Sequence, residues 1–360
     1  MTDLPYLTAD LPGTGGVLRT RDEDFFVDEE PAYLPSGAGD HVFVRIEKRG
    51  MTSRHAVAQV ARALGVAERD IGIAGMKDRH AVTRQWLSLP PPATPELALA
   101  MTIENITILE ASRHPHKLRT GHVRGNKFVL RVRGAATDSV ERARAILARL
   151  AETPGAPNWY GEQRFGRDGD NAQKGRDLVS GARKLGRDKK LDRLFVSALQ
   201  SELFNAWLVA RMGDGMYRRV VVGDVLHKTG GGMFVCEDAA TDEARLGAGE
   251  LVLTGPMFGD KMRRPPDGTP AAEREAAVLA AAGLEAAAFG NVRALAEGTR
   301  RDATITVADA SVSAVASTED ERGETFEVAF ALPGGAYATA VMREVMKTVP
   351  QRVDDTPDAG

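Results

Sequence analysis

At 360 residues, 43% hydrophobic and 27% charged, the chain has enough apolar material for one large core or two ordinary ones. Its net charge of −3 excludes a chain that is polycationic throughout, and its single cysteine, Cys236, excludes an intramolecular disulfide framework or a cysteine-based metal cluster. That cysteine usage suits a reducing cytoplasm. The opening "MTDLPYLTADLPGTGG" gives no expectation of a secretory signal. No run approaches the ~20 apolar residues of a membrane span, since "VLAAAGLEAAAF" is short and carries Glu285.

In chain order, "HVFVRIEKR" alternates Val42, Val44 and Ile46 against Phe43, Arg45 and Glu47 and reads as a strand. "TSRHAVAQVARALG" reads as a helix with Thr52 or Ser53 as cap, an apolar face of Val57, Val60, Ala61 and Leu64, and Gly65 as its stop. "IGIAG" is a short buried strand, and "AVTRQWLSLP" is a second one ended by prolines. "GMKDRHAVT" is therefore a turn between two strands, the kind of loop on which function concentrates. "TIENITILEA" and "KFVLRVRG" are strand-like, and "DSVERARAILARLAE" is an amphipathic helix with Asp138 or Ser139 as cap. "TPGAPNWYGEQRFGRDGDN" is a Gly/Pro-rich aromatic loop. "LDRLFVSALQSELFNAWLVARM" is a long helix with Leu194, Phe195, Ala198, Leu199, Ala206, Trp207 and Ala210 on one stripe. From about Arg183 to Ala310 the composition changes to short strands ("RRVVVGDVL", "ELVLTG") and Ala/Glu-rich helices. "GETFEVAFALPGGAYATAVMREVMK" then returns to strand character. Sheet, different module, sheet is the pattern of one domain inserted into another.

Charge is unevenly spread. Residues 111–133 hold seven Lys/Arg and three His without an acid, and a second basic stretch runs from Arg164 to Arg193. A polarised chain of this kind can present a cationic face to a nucleic acid; solvated surface charge is the plainer reading. Asp78 is the strongest local candidate for chemistry. A carboxylate between Lys77 and Arg79 at the end of a buried strand is suited to a nucleophile or general base, and equally to a structural ion pair. In "NWYGEQRFG", aromatics and amides in a glycine-containing loop can stack on a base and read its edge, or can plug a core. "LPGGAYATAVMRE" fits a close backbone approach to a ligand or a simple hairpin turn. "GTGG" and "TGGGM" lack the strand and helix context of a dinucleotide or phosphate loop. His114 and His116 sit among cations, which opposes a divalent metal, and no GxSxG is present.

Taken together, "AGMKDRHAVTRQW", "NWYGEQRFG" and "LPGGAYATAVMRE", with "KLRTGHVRGNKF" and "GVLRTRDEDFFVDE", resemble the TruD family of tRNA pseudouridine synthases over most of the chain, least across 210–310. The resemblance implies an α+β pseudouridine-synthase catalytic domain with a large mixed or antiparallel sheet, built from 1–183 and 312–350. It also implies an inserted α/β TRUD domain at 184–311, followed by an acidic, disordered tail at 351–360. It implies cytoplasmic isomerisation of uridine to pseudouridine in tRNA, at uridine-13 in bacterial members, with tRNA as partner, no protein partner, no membrane, and neither cofactor nor metal. Position by position, Asp78 matches the essential aspartate, which attacks the substrate or takes a ribose proton. Tyr160 matches the aromatic that stacks on the flipped uracil, and Asn158 orients the base or the aspartate loop. Phe25 lies close to the site, and Arg19 stands where many members carry the lysine that partners the aspartate. Lys77, Gln163 and Tyr337 fall in the same motifs, and Lys117, Arg119 and Arg124 would meet the RNA backbone. A non-catalytic RNA-binding protein of the same fold would have no use for Asp78. A methyltransferase would want a Gly-rich cofactor loop that is not present.

Overall fold

The computed structural model describes residues 4–316 and 323–348, so the tail at 351–360 lies outside the described residues. The chain divides into two compact units. One, the sheet unit, comprises Leu11–Arg149, Val307–Ala338 and the described part of Met342–Gly360. The other, the helical unit, comprises the described part of Met1–Asp10 with Leu150–Thr306 and Thr339–Val341.

Among the described residues, the sheet unit holds a nine-stranded mixed sheet. Its main path runs Ala308–Val315, Glu324–Pro333, Val123–Ala135, Phe25–Pro31, Val82–Leu89, His41–Arg49, Ile106–His114. Val17–Leu18 adds to strand 123–135, and Gly72–Ile73 adds to strand 82–89. Strands 25–31 and 82–89 run parallel, whereas the other pairs are antiparallel. The period-two pattern of strand 41–49 divides the core. Val42, Val44 and Ile46 join Leu87 and Leu89 under the helix Ser53–Leu64, and Phe43 packs on the other face with Trp86, Ala74 and Leu118. Thr52 caps that helix by accepting from the His55 amide, and Gly65 ends it in the left-handed conformation at φ 67°, as expected of both.

Several local expectations change. The strand expected in "IGIAG" shrinks to Gly72–Ile73, and Gly72 is pressed against its neighbours: a Cβ there would stand 2.3 Å from the Leu118 carbonyl oxygen and 2.4 Å from Ser88 Oγ. The helix Ser139–Ala151 is not closed by Asp138, whose φ is 66°. Glu324, from a distant strand, accepts instead from the amides of Asp138 and Ser139 and from the Ser139 hydroxyl. The last segment keeps its strand only to Pro333. Gly334 and Gly335 turn the chain, and Ala338–Met346 is a helix.

The helical unit contains a four-stranded antiparallel sheet in the order Met233–Val235, Val225–Lys228, Leu251–Met257, Thr299–Asp302, and a two-stranded pair, Ala156–Pro157 with Thr304–Ile305. Of "RRVVVGDVL" only Val225 and Leu226 are strand, the start of Val225–Lys228; ahead of them Asp224 accepts from the Val221 amide and pairs with buried Arg211. Helix Lys189–Gly213 is the spine of the core, burying Phe195, Leu199, Leu203, Phe204 and Trp207, while Leu194 stays 43% exposed. Helix Asn171–Ser180 lies so close to it that a Cβ on Gly175 would meet the Phe195 carbonyl oxygen at 2.2 Å. A boundary at 183/184 would therefore cut between two packed helices. The contacts divide the chain at 149/150 and 306/307 instead.

Gly72→Ala should destabilise the protein by about 2 kcal/mol, because the added methyl meets the Leu118 main-chain oxygen as well as the Ser88 and Lys117 side chains, and the main chain cannot swing aside. Urea denaturation of the variant against the unaltered protein checks this.

Candidate active site

The loop between Gly72–Ile73 and Val82–Leu89 is held from below by side chains of three other segments and the main chain of a fourth. At its start, the Gly121 amide donates to the Ala74 carbonyl at 2.8 Å. The Lys77 amide donates to Ser53 Oγ at 2.8 Å, and that hydroxyl donates to Gln85 Oε1 at 2.7 Å. The Lys77 ammonium forms an ion pair with Glu29, whose side chain is fully buried and whose other oxygen accepts from the Trp86 amide at 3.1 Å. From strand 41–49, Lys48 Nζ donates to the Asp78 carbonyl at 2.8 Å and to the Met51 carbonyl at 2.6 Å.

Above these anchors the Asp78 side chain is 49% exposed, with Oδ2 2.7 Å from Arg19 Nη2. Arg19 follows Val17–Leu18 with φ 64°, a costly backbone conformation for a side chain of this size. Its guanidinium carbon lies 3.9 Å from the centroid of the Phe25 ring, so buried Phe25 acts as a floor for Arg19. Beside the loop a cleft of about 280 Å³ is lined by Arg49, Thr52, His55 and Arg79 among others. The structure thus brings Arg19, Phe25, Lys77 and Asp78 together. The Lys77 side chain is only 8% exposed and is paired with Glu29, so in this structure it fastens the loop from within. Tyr337 stands at the start of helix 338–346 and is 40% exposed.

Asn158, Tyr160 and Gln163 belong to the helical unit. Tyr160 is 7% exposed and its main chain is gripped on both sides by the Asn205 amide, at 3.0 and 2.9 Å. The Arg301 guanidinium carbon lies 4.1 Å from the ring centroid, and Phe204 meets the ring edge-on. Asn158 accepts from Arg301 at 2.5 Å and donates to the Asp302 carbonyl at 2.8 Å. A bare aromatic platform and an outward-facing amide are therefore not what these residues form. Asn158 positions Arg301, and Arg301 covers Tyr160. Gln163 lies in the short turn Glu162–Phe165, and its side chain is outside what is described.

The basic stretches resolve into paired and outward portions. Arg133 is buried against Asp24, Arg131 pairs with Glu327 and Lys127 with Glu30. These three hold strands together and are removed from any tally of RNA contacts. Arg119 and Arg124 are exposed, and Lys117 spends its ammonium on the Arg69 carbonyl at 2.5 Å. In the helical unit Lys184, Arg187, Lys189, Lys190 and Arg193 are exposed. Two residues went unnoticed in the sequence. Lys48 had a legible signal, since it continues the inward row of Val42, Val44 and Ile46; Arg301 had none.

Comparison with known proteins supplies the context. The family model described as tRNA pseudouridine synthase D (TruD) matches residues 1–184 and 170–345. The tRNA pseudouridine synthase D of Anaeromyxobacter dehalogenans is 51% identical, covering 96% of this chain and 97% of the relative. That of Thermus thermophilus is 42% identical over 95% and 92%. The crystal structure of the putative tRNA pseudouridine synthase D from Methanosarcina mazei shares the fold, with a TM-score of 0.80 and 22% identity over 96% of each chain.

Glu29→Gln should leave the Lys77 ammonium buried without its counter-charge and cost about 3 kcal/mol or more of stability. The double variant Glu29→Gln, Lys77→Met should recover part of that loss. Denaturant titration of the three proteins measures the coupling.

Proposed function

Because the chain belongs to the TruD family of tRNA pseudouridine synthases, we propose that it isomerises uridine-13 of tRNA, with Asp78 as the reacting carboxylate. The enzyme is an isomerase, and tRNA is its substrate class. The observation that carries the finer reading is the half-exposed Asp78 carboxylate, paired with Arg19, on a loop whose main chain is fastened from beneath.

The reaction exchanges one bond for another within the nucleotide. The N1–C1′ bond breaks, the uracil turns, a C5–C1′ bond forms, and a proton is lost from C5 and regained at N1. Asp78 serves it either by attacking the sugar or by taking a ribose proton. The uridine must first leave its stack, which costs a few kcal/mol. In the proposed complex Tyr160 supports the flipped base, with the uracil taking the place of the Arg301 guanidinium on its ring. Tyr337, half-way exposed at a helix start, is assigned to the substrate side, as is Gln163. Arg119 and Arg124 meet phosphates. Arg119 sits in a turn tied to the Ala74 carbonyl through Gly121, which places it next to the Asp78 loop. Lys117 steadies the same turn.

Asp78→Asn should reduce pseudouridine formation in tRNA to background while tRNA binding is retained, read by chemical mapping of pseudouridine and by a binding assay. Turnover close to that of the unaltered enzyme would remove Asp78 from the mechanism. Replacing Arg119 and Arg124 with Ala should weaken tRNA binding and lower the slope of log K against log salt by up to about 2. An unchanged slope would place the RNA elsewhere.

A further inference from the structure

The inward row of strand 41–49 reads Val42, Val44, Ile46, Lys48, and the lysine is as buried as the three apolar residues before it, at 0% exposure. An ammonium is expensive in such a place unless its donors are met. Lys48 spends two of them on main-chain carbonyls, those of Met51 and Asp78. The first fixes the entry to helix 53–64, whose Ser53 hydroxyl receives the Lys77 amide. The second fixes the carbonyl of the residue whose carboxylate faces outward. A neutral residue of the same length would serve packing alone; an ammonium aimed at this carbonyl has a use in orienting Asp78.

We propose that Lys48 is a positioning residue for the isomerisation: its charged form grips the Asp78 carbonyl and so aims the Asp78 carboxylate at the ribose. This rests on Asp78 being the reacting group. Burial pushes the Lys48 ammonium down to about 8, and the negative charges of Asp78 and Asp22 oppose that shift while Lys77 adds to it. These are the charged groups that face it: Asp78 and Lys77 from the loop, and Asp22 from the turn Asp22–Asp24. His80 approaches Asp22 at 3.9 Å. As pH rises through about 8, Lys48 loses its proton, and charge-assisted hydrogen bonds become ordinary ones. Stability moves the opposite way. The native value lies below the ordinary 10.5, so between about 8 and 10.5 the unfolded chain binds more protons and the native state gains from this group as pH rises. A fall in rate above pH 8 is then not unfolding caused by Lys48.

The test uses full-length enzyme and tRNA under single-turnover conditions across neutral and alkaline pH. In the unaltered enzyme the rate should fall with an apparent pKa near 8, and a 13Cε-labelled lysine resonance should titrate at the same point. Lys48→Met should fold, bind tRNA as before, and lose about 10-fold to 100-fold in rate at neutral pH. It should also lose the alkaline limb and the matching resonance. Lys48→Arg, charged at every pH used, should restore part of the rate without the limb. A folded Lys48→Met enzyme that keeps both rate and limb overturns the proposal. If that variant does not fold, the unaltered enzyme decides: no lysine titrating near 8, or a limb displaced from it, overturns the proposal as well. Asp78→Asn separates the two readings. If it stays active, the function proposed for Asp78 fails whatever Lys48 does. If it is inactive while Lys48→Met is unaffected, only the positioning role fails.

Discussion

The ion pair between Lys77 and Glu29 is the interaction on which the arrangement of the Asp78 loop depends. Glu29 lies on strand 25–31 just past the last ladder position it shares with strand 82–89, the pair Asp28 and Arg84. Because those two strands run parallel, one Glu29 oxygen still reaches the Trp86 amide and the other is left for Lys77. A single buried carboxylate thus extends the sheet and pins the loop. With Lys77 turned inward, chain geometry sends the next side chain, Asp78, outward. The ion pair also explains how polar residues can stand between two buried strands: Lys77 faces the interior with a partner waiting, while Asp78 is left exposed and paired with Arg19.

What was legible in the sequence was local. Strand 41–49 and helix 53–64 follow from short-range periodicity and from a cap and a stop within a few residues, and the structure gives both as read. Asp78 was legible because its motif is contiguous. What was missed is long-range. Glu324 caps a helix that starts 185 residues earlier, Arg133 meets Asp24 across 109 residues, and Asn158 holds Arg301 across 143. Counting cations in 111–133 overstated the basic surface for this reason, since one strand carries three of them to carboxylates that lie elsewhere in the chain. Composition changes from about Arg183 to Ala310, whereas the contacts group residues by packing. Packing of helix 171–180 on helix 189–213 draws the compact unit back to residue 150.

Tyr160 shows how a sequence motif can mark a ring without marking its surroundings. Aromatic character in a glycine-containing motif marks a ring, but not what lies on that ring. Here a guanidinium occupies the π face at 4.1 Å, an arrangement of the same geometry and sign as a cation stacked on a base. Arg301 is held there by Asn158, so the two residues of the motif act together: the amide sets the cation and the cation covers the ring.

Arg19 rather than a lysine beside Asp78 is intelligible on the same physical terms. A lysine needs only a direction toward the carboxylate, whereas a guanidinium has a plane that must also be set. Phe25 sets it: the ring lies 3.9 Å beneath the guanidinium carbon, and the left-handed backbone at Arg19 delivers the side chain onto that ring. The contact with Asp78 then runs from Nη2 to Oδ2 alone. A two-pronged grip would bind the carboxylate more firmly but would engage both oxygens. The one-pronged grip orients the carboxylate while leaving Oδ1 outside the pair. The backbone strain at Arg19 is compensated by the Phe25 contact and the ion pair together, so the departure from lysine fits the chemistry proposed for Asp78.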